Sequence, residues 1–321
     1  MLFVAVPASA DEALPSWNDG QTKHSILKFV ARVTDQRGPD YVAPAERIAV
    51  FDNDGTLWCE QPAYPQFRFG MDRMQTVAAK FPELKNREPF QSALADDLDG
   101  VIKSSVHGLI ELTAATHGGL STGEFDGVVN NWLATAKHPR FQQPYTNCVY
   151  RPMLELLGYL RANGFKNYIV SGGALEFMRP WTEKVYGLPP EQIIGSTVKM
   201  IMEMRDGSPV IVRQPEIESI NDKGEKVLSI QRVIGRRPIA AFGNSDGDLP
   251  MLQWTAASRG ASLCVYVHHT DGEREWAYDR ANVGSLAKGL IEAKARGWTV
   301  VDMKTDWKRV FPFAESEATR K

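Results

Sequence analysis

Two carboxylates stand two residues apart in Phe51-Asp52-Asn53-Asp54-Gly55-Thr56-Leu57. Acidic side chains so placed hold hard cations or move protons, and Gly55 after Asp-Asn-Asp marks a turn. A calcium loop is excluded, because the glycine and terminal glutamate it requires fall on Leu57 and Ala63. Three further clusters carry polar groups. Ser171-Gly172-Gly173 joins a hydroxyl to two residues that let a ligand approach the backbone closely; alone it would read as a strand-to-helix connection. Asn221-Asp222-Lys223-Gly224-Glu225-Lys226 offers two ammonium groups, and Gly243-Asn244-Ser245-Asp246-Gly247-Asp248 offers an amide and two acids.

The surrounding sequence dictates where these clusters sit. Ile48-Ala49-Val50-Phe51 is a short apolar run that reads as a buried strand of a parallel sheet, with Asp52 and Asp54 at its C-terminal edge. Ligands bind at that edge in open α/β sheets. Residues 167–170 and 238–242 are further buried-strand candidates, ending in the serine-glycine and the acidic clusters; 263–267 and 299–301 complete the set. Helical spacing occurs at 24–33, 151–160, 174–186, 226–234 and 285–296, and Asp206-Gly207 between 196–205 and 209–213 predicts a β-hairpin. Between residues 59 and 146 there is no buried-strand signal, only helical stretches at 71–80, 90–102, 106–116 and 123–136. So long a loop without structure is improbable, which makes this a helical insertion. Strands alternating with helices predict right-handed crossovers and a three-layer α/β core.

Composition narrows the function classes. The 321 residues suffice for one large core plus an inserted module. With 37 basic and 39 acidic residues and no long single-sign block, a nucleic-acid partner is not expected. Cys59, Cys148 and Cys264 match no metal spacing and are read as buried thiols, and no apolar stretch reaches the length of a membrane span. Leu2-Phe3-Val4-Ala5-Val6-Pro7-Ala8-Ser9-Ala10, followed by Asp11, resembles the end of a secretory signal. It sets the expectation of a periplasmic or secreted protein, with a cytoplasmic one as the alternative.

Asp52-Asn53-Asp54-Gly55-Thr56, then Ser171, then a lysine ahead of a helix, then Gly243-Asn244-Ser245-Asp246-Gly247-Asp248, resemble in order the four motifs of the haloacid dehalogenase superfamily. The resemblance spans residues 47–267 and is closest to the phosphoserine-phosphatase branch. It implies a Rossmann-like core at 21–58 and 147–321, a helical cap at 59–146 between the first and second motifs, and a tail at 1–20. It also implies a Mg²⁺-dependent phosphomonoester hydrolase, acting on phosphoserine or another small-molecule phosphomonoester. Asp52 would be the nucleophile that becomes an aspartyl-phosphate, and Asp54 the acid and base. Ser171 and Gly172 would hold the phosphoryl oxygens, with Thr56 also at the substrate. Asp52, the Asp54 main-chain carbonyl, Asn244 and Asp248 would hold Mg²⁺, with Asp246 ranked after Asp248. Lys226, preferred over Lys223, would offset the remaining charge; Asn244 departs from the commoner Asp, which lowers the charge offered to the metal.

Two other readings compete. A carbon–halogen hydrolase would also use Asp52, yet needs no metal and lacks the second acid, so Asp54 opposes it. A catalytically silent binding protein on the same fold has Asn244 as its one indication. Glu60 is a candidate partner for a substrate ammonium and Arg179 for a carboxylate, while His268-His269 are read as surface or packing residues and Trp276, Tyr278, Trp298 and Trp307 as packing.

Overall fold

The computed structural model describes residues 13–280 and 283–314; the signal-like residues 1–12 lie outside the described residues. Strand β1 (Ile48–Phe51) is wholly buried and lies between two parallel neighbours, β2 (Lys166–Ala174) and β5 (Ala240–Gly243). Its alternation feeds two cores at once, as period-2 geometry requires. Ala49 and Phe51 point into a cluster with α1 (Gln21–Thr34), α7 (Arg151–Ala162) and α8 (Leu175–Tyr186), where Phe51 stacks on Phe242 at 4.3 Å. Ile48 and Val50 point the other way, against α9 (Gly224–Val233), α10 (Leu249–Ala256) and α11 (Lys288–Arg296). The result is the predicted three-layer α/β core.

Parallel pairing continues through β3 (Ile193–Arg205) beside β2, and through β6 (Leu263–Thr270) beside β5, with β8 (Thr299–Asp302) parallel to β6. Strand β4 (Ser208–Ser219) is antiparallel to β3 and forms the outer edge. Asp206 and Gly207, at φ 50° and 79°, make the tight turn that the Asp-Gly pair predicts. A two-residue strand, β7 (Ala277–Tyr278), adds antiparallel to the end of β6 and was not foreseen.

Between β1 and β2 come α2 (Pro65–Lys80), α3 (Phe90–Leu94), α4 (Leu98–Lys103), α5 (Ser105–His117) and α6 (Thr122–Thr135). The single helix expected at 90–102 is split. Asp96 takes a left-handed φ of 57°, and the Asp97 side chain caps the new helix on Gly100 N; two acids in a row favour the cap and turn over continuation. Met71, Met74, Phe90, Val101 and Leu112 give this insertion a core of its own. The β3–β4 hairpin closes over it: Gly119 N donates to Arg213 O at 2.7 Å and Arg213 N to Leu120 O at 2.9 Å. The buried Arg213 guanidinium lies over the Phe125 ring at 3.9 Å and donates from Nε to His117 O. Among the described residues no helix is long and apolar enough to cross a membrane.

Candidate active site

Beyond Phe51 the strand pairing extends one residue, Asp52 N donating to Phe242 O, and the chain then folds back on itself. Asn53 O accepts from the amides of Thr56, Leu57 and Trp58, while Gly55 N donates to Trp58 O. Gly55 has a φ of +72°, and a Cβ there would fall 2.0 Å from Asn244 Nδ2 and 2.6 Å from Glu60 Oε1. Both the backbone conformation and the space require glycine.

The turn is held from behind by a buried polar chain. His269 donates from Nε2 to Gly55 O at 2.8 Å and from Nδ1 to Glu275 Oε2 at 3.0 Å. Both partners are acceptors only, so both ring nitrogens carry protons and the imidazole is a cation. Burial opposes that charge, but Glu275 outweighs it and raises the His269 pKa above its ordinary value. For Glu275 burial pushes upward, yet the His269 charge and its own hydrogen bonds leave it below the ordinary value. Tyr150 OH and Cys59 Sγ both donate to Glu275 Oε1, and Trp276 N to Oε2. All three cysteines are free and buried.

Asp52 faces Lys226, whose ammonium stands 2.7 Å from Asp52 Oδ1 and 2.6 Å from Asp248 Oδ1. Lys226 is buried, whereas the Lys223 side chain is 74% exposed and only 3.9 Å from Asp222. Of the two lysines, Lys226 is the one that faces Asp52. Burial opposes its charge, but Asp248 and Asp52 together raise its pKa. One cation cannot serve every acid here. Burial first, and then the charges of Asp248 and Asp54, raise the Asp52 pKa well above the ordinary range despite Lys226. Asp54 accepts from Trp58 Nε1 at 2.8 Å, and burial lifts it to about 6.

The other expected residues take different places. Ser171 is fully buried within β2, three residues before its end, and its Oγ accepts from Gly173 N at 2.9 Å. Gly172 and Gly173 line the cavity in front of Asp52 and Asp54. Thr56, expected at the substrate, is instead fully buried and donates to Asn244 Oδ1 at 3.1 Å, because the Gly55 turn rolls it away from the cavity. Asn244 donates from Nδ2 to Glu60 Oε1 at 2.8 Å. Asp248 Oδ2 accepts from the amides of Asn244 and Ser245 and from Ser245 Oγ, so with Lys226 on Oδ1 both of its oxygens are engaged within the protein. Its direct contact is with Lys226 and the loop. Asp246 is turned away to accept from Lys288 N and Gly289 N at the start of α11.

Glu60 lies on the cavity wall, accepting also from Tyr278 OH at 2.7 Å, and burial lifts its pKa to about 8. Arg179 is outside the cavity and donates to Pro190 O. From the sequence His269 reads as a surface or packing residue and Tyr278 as packing, and Glu275 carries no role. Strand alternation does say that one of His268 and His269 must be buried, but nothing local says that the buried one meets the turn at 55.

Among the described residues no three His, Cys, Asp or Glu side chains gather into a self-sufficient metal cluster. A hard ion such as Mg²⁺ does not need one. The surplus of buried carboxylates over Lys226 is a set of oxygen donors that one cation does not balance, and it fits such an ion.

The family model for haloacid dehalogenase-like hydrolases matches residues 49–253. No curated protein matches. Among solved structures, a conserved protein of unknown function from Anaerococcus prevotii aligns at a TM-score of 0.50 with 14% identity, covering 87% of this chain and 91% of its own. A protein of unknown function from Bordetella pertussis aligns at 0.49 with 16% identity, over 80% and 99%. A phosphoserine phosphohydrolase-like protein from Francisella tularensis aligns at 0.42 with 17% identity, over 86% and 100%. The family match covers well over half of the 321 residues and takes in all four polar clusters, so the chain belongs to the haloacid dehalogenase-like hydrolases.

Proposed function

We propose that this hydrolase is a Mg²⁺-dependent phosphatase that cleaves small phosphomonoesters through an aspartyl-phosphate on Asp52. The observation that carries the reading is the Lys226 ammonium fixed between Asp52 and Asp248, with Asp54 two residues along the same turn. A dianionic phosphoryl group meets a carboxylate only where cations offset the repulsion. Asp52, the Asp54 carbonyl and Asn244 Oδ1 would hold Mg²⁺. The bound ion supplies the positive charge that lets phosphate approach.

Lys226 engages Oδ1 of Asp52, leaving Oδ2 to attack phosphorus. As the O–P bond to Asp52 forms, the ester P–O bond breaks and the leaving alkoxide takes a proton from Asp54. A carboxyl titrating near 6 suits a group that must give and take a proton near neutrality. Water then attacks the aspartyl-phosphate and passes its proton to Asp54; phosphate departs and Asp52 returns as carboxylate. The Gly172 backbone on the cavity wall, with no side chain in the way, receives the phosphoryl oxygens. The secretory-signal resemblance at 2–10 adds to this reading that the enzyme works outside the cytoplasm.

The test is turnover of p-nitrophenyl phosphate with Mg²⁺ and with chelator, alongside the intact mass of protein quenched during turnover. Mg²⁺-dependent release and a phosphoryl adduct, both lost in Asp52→Asn, are expected. Turnover indifferent to chelator, or chloride release from haloacids in place of phosphate release, overturns the reading.

A further inference from the structure

The cavity in front of Asp52 and Asp54 has a volume of about 340 Å³ and runs between the helical insertion and the β3–β4 hairpin. That is room for a small organic group beyond the phosphate. Its far wall is apolar: Tyr64 and Phe67, edge to face at 5.3 Å, stand on the insertion side, and Val198 and Ile217 on the hairpin side.

The polar groups interleaved with them are already committed. Gln66 accepts from Ala174 N through Oε1 at 2.7 Å and meets His117 through Nε2 at 3.1 Å. Ser196 Oγ donates to Gly172 O, Thr197 Oγ1 to Glu218 and Ser245 Oγ to Asp248.

Among the described lining residues the one cation is Lys226, held by Asp52 and Asp248, and the carboxyl side chains of Glu60 and Asp222 supply no positive charge. A substrate carboxylate would therefore meet no free counter-charge among the described lining residues and would be desolvated against apolar side chains.

We infer that the alcohol released here bears no carboxylate and is apolar, an aromatic or branched-aliphatic group of about the size of a phenyl ring. Esters whose alcohol bears a carboxylate, phosphoserine among them, are poor substrates. This inference rests on the phosphomonoesterase reading and assigns its substrate class. Packing of the ring against Phe67 and Val198 sets the preference.

The experiment compares kcat/KM of the full chain with Mg²⁺ for 2-phenylethyl phosphate, phosphoserine and phosphoethanolamine, whose leaving groups are all alkoxides, with p-nitrophenyl phosphate as reference. A preference for the phenylethyl ester of about tenfold or more over both others is expected. Phe67→Ala and Val198→Ala should each erode that ratio through KM, and using both keeps the result readable if one folds poorly. Equal or better turnover of phosphoserine or phosphoethanolamine, with p-nitrophenyl phosphate still cleaved, overturns the cavity inference alone. Failure to cleave any ester, p-nitrophenyl phosphate included, overturns it together with the phosphatase reading.

Discussion

Glu60 Oε1 accepts a hydrogen bond from Asn244 Nδ2 at 2.8 Å while Thr56 donates to the Oδ1 of the same amide, so the carboxamide is fixed in one orientation. An aspartate at 244 would set two carboxyl groups against each other. Removing Glu60 frees the amide to turn, and the Mg²⁺ response should weaken about tenfold, within the range of supporting contacts around a metal. The readout is the Mg²⁺-induced rise in Tm of Glu60→Ala against wild type. Asn244→Asp should be destabilised alone and rescued by Glu60→Gln. An unchanged Mg²⁺ titration in Glu60→Ala would refute the assignment.

Lys226 and Lys223 should separate cleanly. Lys226→Ala leaves Asp52 and Asp248 buried without their cation, and kcat/KM should fall by about a hundredfold or more. Loss of one partner of a buried pair also predicts a stability cost of about 3–5 kcal/mol, measurable by urea unfolding. Lys223→Ala, at an exposed side chain, should stay within about 0.5 kcal/mol of wild type with near-normal turnover. The reverse pattern would transfer the catalytic assignment to Lys223.

His269 and Glu275 give metal-free stability a definite pH profile. The raised pKa of His269 means that its contribution is full below the ordinary value of 6.5 and is lost as pH rises through its folded value. The lowered pKa of Glu275 works on the other flank: its contribution is present above 4.5 and is lost as pH falls through the folded value. Denaturant melts should thus show a stability decline above pH 6.5 that His269→Gln abolishes. A parallel decline in the variant would show that the imidazole is neutral in the fold.

Gly55 and Gly207 share a left-handed φ but differ in surroundings. Gly207→Ala, with nothing within 4 Å of the new Cβ, should cost only the backbone strain, about 1 kcal/mol, and spare activity. Gly55→Ala must also displace Asn244 and Glu60, so it should lose the Mg²⁺ response and at least about 2 kcal/mol of stability. Equal effects at the two positions, by urea melts and Mg²⁺ titration, would argue against the crowded cradle.

What could be read in advance were features that local physics decides. Ile48 to Phe51 could only be a buried strand, Asp206-Gly207 could only turn a hairpin, and the polar clusters had to meet where parallel strands end. The supporting shell was out of reach for a physical reason. Tyr278 is 218 residues from Glu60 and His269 is 214 residues from Gly55, and neither local propensity nor spacing records such a pairing. Asp246 and Asp248 show the same limit at short range. They sit two residues apart in one loop, yet one faces Lys226 and the other caps α11, a choice made by the turn and not by residue type.

Strand β3 has one end hydrogen-bonded into the central sheet, at Ile193 and Ile194, and its other end in the hairpin that is tied to the insertion through Arg213. A roof nailed at both ends does not swing. Opening the insertion as a rigid flap would break both backbone bonds of Arg213 with Gly119 and Leu120 and drag the buried guanidinium off Phe125. The insertion and the hairpin thus form one continuous wall around the cavity in front of Asp52 and Asp54.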